Sequence, residues 1–66
     1  MQVIKEVLLY NCDSLEYEGK ITVNNGQWQF EEIDNEHLVK TTAGMPLKAV
    51  LATLIAFDIV YDIIEE

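Results

Sequence analysis

The chain contains no arginine, and its four basic side chains are all lysines, set against twelve aspartates and glutamates for a formal charge of -8. Nucleic-acid binding by phosphate neutralisation needs clustered Lys or Arg, so that mode of binding is excluded as an expectation. The absence of arginine also removes the bidentate clamp that most readily grips phosphates and carboxylates. A single cysteine, Cys12, leaves no partner for an internal disulfide, which argues against a bridge-stapled secreted scaffold and for a reducing, cytoplasmic setting. The N-terminal residues lack a basic leader followed by a long apolar core, so no signal peptide is expected and the chain is read as mature protein.

No glycine-rich phosphate loop, Walker lysine or dinucleotide fingerprint occurs. A nucleophile needs a base within hydrogen-bond reach, and the sole thiol and sole imidazole, Cys12 and His37, fall in turn and strand-end positions where ordinary structural roles suffice. Asp34, Glu36 and His37 offer two oxygens and a nitrogen, but their spacing follows no closed zinc or calcium motif and reads as a solvated acidic turn. Of the carboxylate pairs, Glu16 with Glu18, Glu31 with Glu32, Asp58 with Asp62, and Glu65 with Glu66, only Asp58 and Asp62 are flanked by apolar residues. Acid–base work requires two such groups in different environments. The expectation is a protein without catalytic residues, metal or cofactor.

What is present is hydrophobic: half of the 66 residues are apolar. That length suits one domain, residues 1–66, and a chain so short buries only about 60% of the surface its unfolded form exposes. Association with another chain is a common way to cover the excess. The longest apolar run, Leu47 to Ile64, is read as one helix, with Pro46 near its first turn. Leu47, Val50, Leu54, Phe57, Tyr61 and Ile64 recur at spacings of three and four and form a core-facing stripe. Ala49, Ala52, Ala56, Ile59 and Ile63 form a second stripe, small at one end and large at the other, which predicts an antiparallel homodimer through those five residues. A membrane span is disfavoured, because Asp58 and Asp62 would sit in hydrocarbon at a cost of about 2.5–3.5 kcal/mol each.

Ahead of that run the sequence alternates. Val3 to Tyr10 reads as a strand, Asn11 to Ser14 as a turn, and Leu15 to Val23 as a second strand in which Gly19 marks a bulge or a close backbone approach and Tyr17 re-enters the core. The sharpest local signal is Asn25-Gly26, which supplies the two positive-φ residues of a type I′ hairpin turn. That turn pairs Val23 with Trp28 and Ile21 with Phe30 on one face, and Lys20 with Glu31 and Thr22 with Gln29 on the other. Asp34 to Glu36 reads as a turn and His37 to Thr42 as a short fourth strand.

These elements predict an α+β fold: a small antiparallel β-meander of three to four strands with one C-terminal helix packed on one face. The functional expectation is a small acidic, non-enzymatic protein-binding module, of inhibitor, antitoxin-like or adaptor type, acting as a homodimer on a basic macromolecular partner. Glu16, Glu18, Glu31, Glu32, Asp34 and Glu36 are the candidate partner-binding residues. The alternatives are a DNA-mimic inhibitor of a nucleic-acid-binding protein and a carrier of a small apolar ligand. Against all three stands the reading that acidity only confers solubility.

Overall fold

A computed structural model describes residues 3–66. The class is α+β: strands β1 (Ile4–Asn11), β2 (Tyr17–Asn24) and β3 (Gln27–Glu31) are followed by helices α1 (Glu36–Thr42) and α2 (Leu47–Leu54), a 3₁₀ turn (Ile55–Phe57) and strand β4 (Ile59–Glu65). All pairings are antiparallel and the sheet order is β3-β2-β1-β4. The first three strands form the expected meander, but the chain ends on a strand added beside β1, so the expected C-terminal helix is replaced by two short helices between β3 and β4.

The hairpin follows the register read from its turn. Asn25 and Gly26 have φ of 54° and 78°, and Val23 pairs with Trp28, Ile21 with Phe30, Lys20 with Glu31 and Thr22 with Gln29. At the other end of β2 the β1 register shifts between Leu9 and Tyr10, opposite Gly19. Gly19 is buried, with φ 145°, and a Cβ there would lie 3.1 Å from the Glu32 carbonyl oxygen and the Ile33 Cα. The chain leaving β3 crosses the sheet at the one residue of β2 that has no side chain. Tyr17 does not re-enter the core: it is 48% exposed, stacks edge-on against Tyr10 and donates to Glu32 Oε1 at 2.9 Å.

Residues 37–42 are helical rather than extended. Asn35 caps α1, its side-chain oxygen accepting from the Leu38 N–H at 3.1 Å, while Glu36 in the first turn and Lys40 in the last complement the helix dipole. The β-branched run Val39, Thr41, Thr42 favours a strand, but burial of Leu38 and Thr42 on one helical face outweighs it, and the buried Thr42 hydroxyl is satisfied by the Leu38 carbonyl at 2.8 Å.

The run Leu47 to Ile64 is likewise divided. α2 keeps Val50 and Leu54 fully buried, the 3₁₀ turn follows, and Asp58 in the left-handed region (φ 59°) stops the helix. The Asp58 carbonyl then accepts from the Cys12 N–H at 2.8 Å, which starts the β1–β4 ladder. Ile59 to Ile64 is mostly β-branched and aromatic, a composition that favours a pleated strand over continued helix.

One core results. Val7, Leu9 and Ile21 from the sheet, Leu38, Val50 and Leu54 from the helices, and Ile59 from β4 are buried together, with Trp28, Phe30, Val23, Ile33 and Phe57 packed around them. No helix among the described residues is long and apolar enough to cross a membrane.

Candidate functional site

The sheet face away from the core carries Glu6, Leu8 and Tyr10 on β1, Lys20 and Thr22 on β2, Gln29 and Glu31 on β3, and Val60, Asp62 and Ile64 on β4, as the registers require. Lys20 lies 3.6 Å from Glu6, the one ion pair among the described residues. Glu31 accepts from the Thr22 hydroxyl at 2.9 Å and from the Gln29 amide at 3.4 Å. These hydrogen bonds, Thr22 first, hold the Glu31 carboxyl below the usual carboxylate range, with Lys20 adding to the effect and partial burial opposing it.

The six carboxylates singled out from the sequence divide by environment. Glu31 and Glu32 are engaged within the fold, Glu32 by the Tyr17 hydroxyl at 2.9 Å; that bond and, ahead of it, partial burial push the Tyr17 phenol up. Glu16 stands exposed in the β1–β2 connection. Glu18, Asp34 and Glu36 line one shallow concavity of about 550 Å³ together with Ile33 and Asn35. Its shape follows from the Gly19 crossing, which brings the β3–α1 connection over the end of β2, and from the Asn35 cap, which sets Glu36 at the start of α1.

A second recess, about 910 Å³, runs along β3 beside the α1–α2 connection and is lined by Trp28, Phe30, Val39, Met45 and Leu47 among others. The Trp28 indole N–H donates to the Met45 carbonyl at 2.7 Å across its floor, which ties the connection to the hairpin. Sequence periodicity missed this recess because it depends on α1.

The proposed dimer stripe is not formed on a single helix. Ala49 and Ala52 lie on α2 and Ala56 in the 3₁₀ turn, whereas Ile59 is 3% exposed in the core and Ile63 belongs to β4. The stripe that was to face the core is divided too, with Tyr61 and Ile64 on β4 and both exposed. The break at Asp58 changes the periodicity from helical to alternating, so residues one stripe apart on a helix fall on different elements.

Cys12 is exposed at the end of β1, and its thiol is pushed up by partial burial and by the carboxylates of Asp13 and Asp58, which disfavours the nucleophilic thiolate. His37 sits on α1 with its ring 5.5 Å from that of Phe57. No hydrogen bond joins the two among the described residues. No group of three or more His, Cys, Asp and Glu among the described residues is placed to hold a metal ion.

Comparison of the chain with protein-family models, with curated proteins and with solved structures finds no match in any of the three.

Proposed function

We propose that this chain is a small, non-enzymatic binding module that engages a basic protein surface through the carboxylates at its β2–β3 end, centred on Glu18, Asp34 and Glu36. The observation that carries this reading is their convergence on one concavity while the one ion pair among the described residues is spent elsewhere, on Lys20 and Glu6. Carboxylates left without a cation on a chain of charge -8 raise the local concentration of a basic partner and speed its encounter. Lys20 interrupts the acidic face, which favours a protein partner over a strict mimic of the regular phosphate array of DNA.

The test is fluorescence anisotropy with a labelled arginine-rich synthetic peptide as the probe, across a salt series. Glu18→Lys, Asp34→Lys and Glu36→Lys together are expected to lower affinity at least tenfold, about 1.4 kcal/mol, with a folded far-UV spectrum retained. Unchanged affinity in that folded variant would assign the acidity to solubility alone. Glu31 and Glu32 are left in place because they hold Thr22, Gln29 and Tyr17.

A second reading, a carrier of a small apolar ligand, is favoured by the recess along β3 with Trp28 and Phe30 in its wall. A neutral apolar dye such as Nile red should then saturate at one site and quench Trp28; linear, unsaturable uptake would remove this reading.

A further inference from the structure

Strand β4 is the outer strand beside β1, and every residue from Val60 to Glu66 is exposed. Its side chains are apolar on both faces: Tyr61 and Ile63 on the core side beyond the helices, each 41% exposed, and Val60 and Ile64 on the other, 42% and 40% exposed. The backbone is bare as well. The Cys12 N–H bonds to the Asp58 carbonyl, and this pair fixes the alternation along the antiparallel ladder. Val60, Asp62 and Ile64 therefore turn their N–H and C=O groups toward β1, and Ile59, Tyr61 and Ile63 turn theirs away from the sheet. Natural edges of this kind are normally blunted by lysine, proline, a bulge or a short strand. β4 carries no lysine or proline, the β1–β4 register shifts only at its far end, between Ile4 and Glu6, and the strand's charges are Asp62 and Glu65.

We infer that β4 is a self-association edge: two copies of this chain pair their β4 strands antiparallel about a two-fold axis at Tyr61, joining two four-stranded sheets into one of eight strands. The outward backbone groups of Ile59, Tyr61 and Ile63 are symmetric about Tyr61, so Tyr61 pairs with Tyr61 and Ile59 with Ile63 as hydrogen-bonded pairs, and each outward N–H finds a carbonyl. In this register Asp62 lies opposite Val60 and Asp58 opposite Ile64, and no carboxylate directly opposes another. Centring the axis one residue later would set Asp62 against Asp62, a destabilising pair.

Self-complementarity selects a second copy as the occupant: in this register Tyr61 meets Tyr61 and Ile59 meets Ile63 on one face, and Asp58, Asp62, Glu65 and Glu66 fall opposite the uncharged Ile64, Val60, Phe57 and Ala56. The acidic concavity belongs to the β2–β3 side, and β3 is three strands from β4, a distance of about 14 Å at 4.7–4.9 Å per strand. That exceeds the Debye length of about 8 Å at physiological ionic strength, so the carboxylates of the concavity oppose dimer formation weakly. The four carboxylates on and beside β4, Asp58, Asp62, Glu65 and Glu66, lie closer and oppose the dimer more, so it should tighten as salt rises. This inference is independent of the reading given for the acidic side.

The test combines mass and register. Sedimentation velocity from about 1 to about 500 µM is expected to show a monomer passing to a dimer and stopping there, as a closed two-fold contact must. Ile63→Pro deletes an outward N–H and leaves the β1 ladder untouched, so it should weaken the dimer at least tenfold while circular dichroism shows the fold retained. In a Cys12→Ser background, Tyr61→Cys should form an intermolecular disulfide on mild oxidation, because hydrogen-bonded partners lie about 5.5 Å apart at Cα. Val60→Cys should not, since its symmetry mate is displaced by two residues. A monomer at every concentration, a mass that climbs past two copies, a dimer indifferent to Ile63→Pro, or a cross-link at Val60→Cys instead of Tyr61→Cys overturns the inference.

Discussion

The two edges of the sheet are built on opposite plans. β3 is five residues long, and its open-face side chains are Gln27, Gln29 and Glu31; β4 is seven residues long, with Val60, Asp62 and Ile64 on the same face. β3 is also tied down from outside: Glu32 and Ile33 cross over Gly19, and Trp28 bonds to Met45 in the connection between the helices. β4 is anchored to the core by Ile59, with its remaining side chains exposed. The two-residue turn makes Asn24 and Gln27 a hydrogen-bonded pair, so Trp28 and Phe30 turn their backbone groups outward on β3 as Tyr61 and Ile63 do on β4. Backbone alone does not distinguish the edges; side chains and flanking segments do. A short, partly covered edge beside a concentration of carboxylates suits a charged partner, and a long apolar one suits its own copy.

The largest expected effect comes from the anchor of the weaker side. Ile59→Ala removes buried volume from the one β4 residue in the core and should cost about 2–5 kcal/mol, a large share of the stability of so small a domain. Urea denaturation checks it, and an effect under 1 kcal/mol would mean that β4 is held by its ladder alone. On the opposite side, Gly19→Ala drives a Cβ to 3.1 Å from backbone at a positive φ, and should cost about 2–3 kcal/mol by overpacking and strain. Because Glu32 and Ile33 must move to relieve it, that variant should also expose Trp28 and shift its emission to longer wavelength, which Ile59→Ala should not do.

Removing the Asn35 cap with Asn35→Ala should cost about 1 kcal/mol in the same denaturation assay and loosen Glu36 at the acidic concavity. The smallest effect is electrostatic. The folded Glu31 carboxyl titrates below its unfolded value, so its contribution is present above the ordinary carboxylate range and is lost as pH falls through the folded value. Thr22→Val removes the leading cause of that depression. The difference in stability between wild type and Thr22→Val should accordingly shrink on acidification; a difference independent of pH would show that the hydroxyl acts by packing.

The β3 side was largely legible in the sequence, and the β4 side was not. Asn25-Gly26 fixes a register through φ alone, and from it the faces of Ile21, Val23, Trp28 and Phe30 follow by alternation. Gly19 announced a close approach because a glycine inside a strand otherwise weakens it. By contrast, Ile59 to Ile64 satisfies both the helical and the alternating period, since an edge strand uncovered on both faces is apolar at nearly every position. The deciding residue is Asp58, whose left-handed conformation ends the helical segment and whose carbonyl starts the ladder to Cys12. An aspartate between apolar residues does not advertise either role. For α1 the signal was present: Asn35 followed by Glu36 is a helix start, and the β-branched residues after it, which favour a strand, compete with that signal.

Concentration-dependent amide hydrogen exchange, resolved by residue with NMR, tests the contrast between the edges most directly. In dilute solution the outward N–H groups of Tyr61, Ile63, Trp28 and Phe30 should all exchange faster than those of Val60, Asp62 and Ile64, which face β1. As concentration rises, Tyr61 and Ile63 should become protected while Trp28 and Phe30 do not. Slow exchange at Tyr61 and Ile63 in dilute monomer, or protection gained at Trp28 and Phe30 instead, would contradict the account.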